Sequence, residues 1–526
     1  MKAFNKLKSH IMEKQADTAQ VPMTQPGMGC HPPTAKDVLR YRYQHACNVG
    51  SVFILERWLT PSMFPDSAPG SSELAAVQAW IAQEGMELAR QRFEKHWLEY
   101  VTDPDLEWMR DVAKCNTIRL PIGYFTLGPQ FCEHTAFKKV APVYENAWHA
   151  VQQIVSRCHA RGIGVLLDLH GLPGGANTGD HSGTNSGKAE LWDSSRNLSL
   201  ATKAACHLIR QATTMDGVVG VQIINEADYD AKGMYTWYDK VLAEASHIDP
   251  TMPIYVSDGW ILEKALAWSQ GHNNAHTRSA CNPVVIDTHL YWAFSDADKA
   301  KDPQTIIHEV PSRLAELDGK DGDVQARGAA QVVIGEYSCV LTEDSWANSH
   351  GVPKQDLVFQ FGNAQSQRYQ QRSGGSFFWT YRMDWMPGGE WGFREKSEQG
   401  AITPPISLTL HASEIASRTS GAQTQRDFKR GNTWGQHCQY WDTNFPGQYE
   451  HHRFPEGWDV GFADATAFFG MRSQAGQGVG GDKIGMLDLW VLKRLRESGQ
   501  VGSAFAWEWE VGFRQGVRDF CELVGV

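Results

Sequence analysis

The stretch VVGVQIINEADYD, Val218 to Asp230, opens as a continuous apolar run and stops on Asn225-Glu226. An unbroken apolar run is the pattern of a strand buried on both faces, as in parallel sheets, whereas a half-exposed strand alternates. An amide and a carboxylate at such an end have an ordinary reading, a solvated terminus. They also have a chemical one, reacting groups presented from a rigid element.

Seven further runs share the pattern: Gly50 to Trp58 (GSVFILERW), Asn116 to Ile122 (NTIRLPI), Gly162 to His170 (GIGVLLDLH), Pro253 to Gly259 (PIYVSDG), Pro283 to Tyr291 (PVVIDTHLY), Gln331 to Ser338 (QVVIGEYS) and Gly374 to Tyr381 (GGSFFWTY). Segments with helical spacing, such as YENAWHAVQQIVSRCHARG and MYTWYDKVLAEASHID, lie between them. Strands alternating with crossover helices are the signature of a parallel α/β architecture. Eight such units predict a closed (β/α)₈ barrel, because a doubly wound sheet would more often carry a glycine-rich phosphate loop after its first strand, and none stands there. The runs finish on Glu56, Arg119, His170, Asn225-Glu226, Asp258, His289 with Tyr291, and Glu336. In a (β/α)₈ barrel all strand C-termini open on one face, where the active site is built. So complete a set of acids, bases and donors favours the chemical reading.

Outside residues 36–404, which hold this rhythm, residues 1–35 are rich in Gln, Pro, Met and Thr and read as a mobile tail. Residues 405–526 read as a helical extension packed on the barrel, with DKIGMLDLWVLKRLRESG and AFAWEWEVGFRQGVRDF around the loop HCQYWDTNFPGQYEHHRFPEGWD. A metal site is the alternative for His437, His451 and His452, but no His-x-x-x-His or His/Asp ligand spacing accompanies them, so no metal ligand and no cofactor is assigned. With 49 Lys+Arg against 60 Asp+Glu the net charge is −11, and no long basic run tracks phosphates, which makes nucleic acid and anionic membrane poor partners. The ten cysteines are scattered, with no close pair of the zinc or redox kind. The first twenty residues have no apolar stretch of signal-peptide length, and no segment reaches a membrane-spanning length. These features predict a cytoplasmic protein without structural disulfides; Phe4, Leu7 and Ile11 among lysines leave organellar import open, although Arg is missing.

Two carboxylates facing each other across a barrel mouth are the minimal equipment for cleaving a glycosidic bond. Glu226 and Glu336 are the best pair. The ordered set IRLPIGY, LLDLHGLPGGANTGDHSG, IINE, DTHLYWAF and IGEYS, spanning roughly residues 45–400, resembles the motif series of glycoside hydrolase family five, in particular its fungal exo-β-1,3-glucanase and β-glucosidase branch. That resemblance implies a retaining mechanism with Glu226 as acid/base and Glu336 as nucleophile. It also implies that Arg119 holds the nucleophile ionised, that Asn225 bonds the sugar 2-hydroxyl, and that His170, His289 and Tyr291 form a polar shell over the aromatic floor of Trp379. Glu226 is then expected to be protonated near neutrality, with the negative charge of Glu336 promoting it.

Glu56, Asn177 and Asp180 match sugar-binding positions of the exo-acting relatives, which implies a pocket closed at one end. Relatives that cut polymers present two rings to the leaving-group sugar. Here one is Phe294, while the other position is Gly179, with Trp192, Trp292 or the C-terminal extension as candidates to refill it. A missing ring predicts a loosened aglycone site. The expected activity is therefore hydrolysis of terminal β-D-glucosyl residues from small or apolar glucosides, with an exo-β-1,3-glucanase acting on β-glucan oligosaccharides as the alternative. A barrel that binds glycans without cleaving them has no need of an acid and nucleophile pair. The natural aglycone and the oligomeric state are not legible in the sequence.

Overall fold

In a computed structural model of the chain, residues 30–275, 281–474 and 480–526 are described. The tail expected at the N-terminus therefore lies largely outside the described residues. Eight parallel strands close a barrel in sequence order: β1 (Gln44–Asn48), β2 (Thr117–Gly123), β3 (Gly164–Gly171), β4 (Val218–Gln222), β5 (Ile254–Ser257), β6 (Val284–Leu290), β7 (Val332–Tyr337) and β8 (Gly375–Phe378). Strand β8 pairs with β1, Gln44 standing opposite Gly375, so no edge is left open. The crossover helices include α1 (Ala147–His159), α2 (Ser195–Thr213), α3 (Met234–Ser246), α4 (Leu262–His272) and α5 (Lys354–Arg372). Each buries its apolar stripe, for example Val151, Ile154, Val155 and Cys158 of α1.

Seven strands fall within the expected runs or within a residue of them. The first does not. Residues 50–58 form an irregular segment in which Val52, Phe53, Ile54 and Leu55 are buried without pairing, and Ser51 at φ 61° breaks the extended chain ahead of them. The strand itself, QHACN, is mostly polar, and its polar side chains are consumed inside the barrel. Gln44 Nε2 donates to the Tyr255 hydroxyl at 3.0 Å and Asn48 Nδ2 to the Gly335 carbonyl at 2.9 Å. Buried polar groups satisfied by hydrogen bonds carry no apolar signature for sequence reading to find.

Beyond the barrel come α6 (Ala412–Asn444), α7 (Arg453–Gln474), α8 (Leu487–Glu497) and α9 (Ala506–Val524). Most of the His-rich segment read as a loop is helical, leaving only residues 445–452 between α6 and α7. Helices α7 and α9 meet backbone to backbone across two Gly-x-x-x-Gly faces. A Cβ added at Gly457 would lie 2.0 Å from the Trp509 carbonyl oxygen, and one at Gly512 2.0 Å from that of Phe454. This helical unit caps the N-terminal end of the barrel. The Tyr43 amide, just ahead of β1, donates to the Lys483 carbonyl at 2.8 Å, and Asn116, just ahead of β2, donates to Asp482 at 3.3 Å. Trp490, Phe468 and Met486 join Leu166, Val219, Val285 and Phe377 from the barrel in one apolar cluster. The opposite face, at the strand C-termini, stays free for the site.

Candidate active site

At the C-terminal face lies a cavity of about 760 Å³ lined by Glu56, His170, Asn225, Glu226, His289, Tyr291, Phe294, Glu336 and Trp379, with Arg119 beneath it. Arg119 on β2 is fully buried and holds the floor together. Its Nη1 donates to Glu336 Oε1 at 3.0 Å and Asn48 Oδ1 at 2.9 Å, Nη2 donates to Asn225 Oδ1 at 2.6 Å and stands 3.0 Å from Asp168 Oδ2, and Nε donates to Gln222. Burial alone would loosen its proton, but Asp168, Glu336 and Asp287 outweigh burial, so the guanidinium is a fixed positive charge. Glu336, at the end of β7, takes a second bond from the Tyr291 hydroxyl at 2.9 Å on Oε2. Both of its oxygens are thereby oriented before any substrate arrives.

Glu226 follows β4 at φ 41°, a conformation that costs energy for a non-glycine residue and clusters at functional sites. His289 Nδ1 stands 2.8 Å from its Oε1 and 3.5 Å from Glu336 Oε2. The nearest donor atoms of Glu226, His289 and Glu336 all lie within 4.8 Å of one another. These are metal-donor types, but Arg119 already bonds Glu336 Oε1 at 3.0 Å and balances its charge.

His170 is locked from both sides, Nδ1 against Asp168 Oδ2 at 2.7 Å and Nε2 accepting the Asn225 amide at 3.2 Å, with Trp379 stacked on it at 6.1 Å. Glu56 accepts the indole N–H of Trp58 at 2.8 Å and not a bond from Arg57, which reaches the Ala68 and Gly70 carbonyls instead. Burial raises its carboxyl above the usual range, against the opposing charges of His181 and His170.

Two expected sugar contacts do not line the cavity. Asn177 donates to the backbone carbonyl of Glu226 at 2.9 Å and accepts the Gly179 amide at 2.8 Å. Asp180 accepts from Ser71 Oγ at 2.5 Å and Asn185 Nδ2 at 2.8 Å. Both are struts of the loop after β3, and what the loop carries inward is His181. Its Nε2 lies 3.1 Å from Glu226 Oε2. The sequence places His181 beside Asp180 but gives no sign of which of the two faces in.

His181 also alters the expected charge state. Burial raises the Glu226 carboxyl, but the hydrogen bonds and charges of His181 and His289 outweigh burial and hold it well below the usual carboxylate range. Burial would lower His181, yet Glu226, then Glu56 and Glu336, push it up to about 9. His289 is raised well above the ordinary imidazole range against its own burial, by Glu336, Asp287 and Glu226. The proton expected on Glu226 near neutrality therefore rests on the imidazoles. The earlier expectation counted only the Glu336 charge.

The ring missing at Gly179 is not replaced by the candidates named. Trp292 is 1% exposed in the core, Trp192 donates its indole N–H to the Ala176 carbonyl, and the C-terminal helices cap the other end of the barrel. A Cβ at Gly179 would lie 2.6 Å from the His181 ring, so the imidazole fills that space. Further out, Trp260 (46% exposed) and Phe294 (62% exposed) border the mouth, with Trp58 and Trp391 completing an aromatic rim. Trp260 sits at φ 65° with its amide held by Asp258 Oδ1 at 2.9 Å. It lies just beyond the β5 run, where periodicity has ended and sequence gives no direction.

The family described as Cellulase (glycosyl hydrolase family 5) matches residues 78–379, and that described as Glucan 1,3-beta-glucosidase 3 C-terminal domain matches residues 422–524. The chain is 31% identical over 483 residues to Glucan 1,3-beta-glucosidase 3 of Schizosaccharomyces pombe, covering 91% of this chain and 95% of that protein. It is 25% identical to Probable glucan 1,3-beta-glucosidase A of Aspergillus clavatus, over 72% of this chain and 92% of the relative. Among solved structures, the rutinosidase from Aspergillus niger superposes with a TM-score of 0.53 at 15% identity, over 69% of this chain and 98% of that one, a likeness of fold.

Proposed function

The chain belongs to glycosyl hydrolase family 5 and is a glycoside hydrolase, and from that premise we propose that it is a retaining, exo-acting β-glucosidase for small or apolar glucosides. The observation that carries the reading is the spacing of the carboxylates. One oxygen of Glu226 and one of Glu336 lie within 4.8 Å of each other, a closeness that favours the carboxyl separation of about 5–5.5 Å in retaining enzymes over the roughly 6.5–9.5 Å that leaves room for an attacking water. Glu336, oriented by Arg119 and Tyr291, attacks the anomeric carbon as the bond to the leaving oxygen breaks. Glu226 delivers the proton to that oxygen, drawing it from the imidazole pair that holds it at rest. Forming the glycosyl ester removes the negative charge of Glu336. Water then attacks the ester with Glu226 as base, its proton returns to Glu226, and Glu336 leaves as a carboxylate.

Glu56, unpaired with Arg57, supports recognition of a terminal sugar and hence exo action. The aromatic rim of Trp260, Phe294, Trp58 and Trp391 supports an apolar aglycone, since flat rings offer contact area and few hydrogen bonds. A second reading, exo-β-1,3-glucanase action, is favoured by the names of the relatives in Schizosaccharomyces pombe and Aspergillus clavatus. The scatter of the cysteines supports a reducing, cytoplasmic setting, which a count of free thiols in native protein tests.

Rates on aryl β-glucosides and on a β-1,3-oligosaccharide series decide between the substrates. Glu336→Ala should abolish turnover of all of them. Glu226→Ala should keep the first step on glucosides with good leaving groups, which need little protonation. Equal losses on good and poor leaving groups would remove the acid assignment, and an inverted anomeric product would remove the retaining one.

A further inference from the structure

The hydrolytic reaction uses nothing from the helical unit at the far end of the barrel, yet three metal-donor side chains converge there. His437 comes from α6, His451 from the turn ahead of α7, and Glu508 from the first turn of α9. The Glu508 side chain is 0% exposed, that of His437 4% and that of His451 18%. Both imidazoles aim at one oxygen: Glu508 Oε2 is 3.0 Å from His437 Nε2 and 2.7 Å from His451 Nδ1, and the three atoms lie within 4.8 Å of one another.

Two of the atoms facing away from this point have partners of their own. Glu508 Oε1 accepts the Glu450 backbone N–H at 2.8 Å, and His451 Nε2 faces Asp442 Oδ1 at 3.2 Å. A ligand imidazole whose second nitrogen is held by a carboxylate is the outer-shell arrangement that fixes ring orientation in metal sites. Aromatic rings close the surroundings, Phe454 stacked on His437 at 4.4 Å and Tyr449 on His451 at 5.0 Å.

We propose that His437 Nε2, His451 Nδ1 and Glu508 Oε2 form a binding site for a divalent transition-metal ion of the zinc type, which ties α6, α9 and the turn ahead of α7 together. Two nitrogens and one carboxylate oxygen suit zinc, with water as the fourth ligand. A buried carboxylate needs only one imidazolium to be neutralised. The geometric ground for an ion is the gathering of three buried or half-buried donor atoms within 4.8 Å of one another, with Glu508 Oε1 and His451 Nε2 already held from behind. Donors bonded to a tetrahedral ion at about 2.0–2.1 Å stand about 3.3 Å apart, so the contacts to Glu508 open by a few tenths of an ångström as the ion enters. The protons the ring nitrogens share with the carboxylate are released to solvent in that step.

The test uses full-length protein without a histidine tag, stripped with EDTA and then given zinc sulfate. About one equivalent of zinc should be retained after desalting, and the melting temperature should rise by several degrees over the EDTA-treated sample. Glu508→Gln should lose the retained zinc. If that variant does not fold, Asp442→Asn, at an exposed outer-shell position, should weaken zinc affinity about 10- to 100-fold while leaving the EDTA-state melting temperature unchanged. Retention below a tenth of an equivalent with identical melting in zinc and EDTA overturns the proposal and leaves a metal-free ion pair. Zinc retained equally by wild type and both variants overturns it as well, because the ion then sits elsewhere. Hydrolysis of β-glucosides bears on neither outcome.

Discussion

Replacing Arg119 with Met keeps much of the side-chain volume and removes the guanidinium that stands 3.0 Å from both Glu336 Oε1 and Asp168 Oδ2. Three further acceptors, on Asn48, Gln222 and Asn225, lose their donor at the same time. At an effective dielectric of about 20 a pair at that distance attracts by roughly 5 kcal/mol, much of it offset by desolvation. Breaking a buried pair from one side costs about 3–5 kcal/mol, because the carboxylates are left buried and uncompensated. In a chain of 526 residues that corresponds to a fall in melting temperature of roughly 3–5 °C. The pH dependence has a definite sign. Asp287 is raised by burial but held below its ordinary value by His289 and then Arg119, so its contribution to stability is present above that ordinary value and lost as pH falls. The Arg119→Met deficit should therefore be largest at neutral pH and shrink in acid, as the carboxylates protonate in both proteins. Thermal and urea melts of the two proteins at several pH values measure it. A variant melting within a degree or so of wild type at neutral pH, or a deficit that grows in acid, would refute the view of Arg119 as the charge that holds the floor.

His181, pushed up to about 9 from an ordinary 6.5, contributes stability that is full below 6.5 and lost as pH rises through 9. His181→Asn should remove that pH-dependent part, and parallel urea profiles for the two proteins between those pH values would contradict it. Glu73 is raised to about 8 by burial, against bonds from the Tyr144 hydroxyl and the Leu55 amide. Its contribution is full below its ordinary 4.5 and falls as pH rises through 8, so Glu73→Gln should flatten the wild-type slope by up to about 1.4 kcal/mol per pH unit in urea titrations. Trp260→Ala or Phe294→Ala should lower kcat/KM for bulky aryl glucosides about five- to tenfold, near 1 kcal/mol per ring, and leave β-glucosyl fluoride unaffected. Equal losses on both substrates would place these rings against the terminal sugar.

Glu226, Glu336, Arg119, His170, His289 and Tyr291 are legible in the sequence, because a parallel strand buried on both faces writes itself as an apolar run and the fold fixes where its end points, while Trp379 enters through the family resemblance. The first strand escaped for the complementary reason: Gln44, His45 and Asn48 are buried polar residues whose partners lie on other strands and, for His45, on the Ala113 carbonyl ahead of β2. Sequence period is a local property, and it ends where the strand ends. The tertiary structure alone decided that His181 faces the cavity while Asn177 and Asp180 brace its loop, and that Trp260 reaches the mouth. It also moved the resting proton from Glu226 to two imidazoles, since a pKa is set by charges a few ångströms away whatever their distance along the chain. The convergence of His437 and His451 on Glu508 is the same case. Fifty-seven residues separate His451 from the carboxylate, and the packing of α9 against α7 through their glycine faces, with α6 laid against both, brings the three donors to one point.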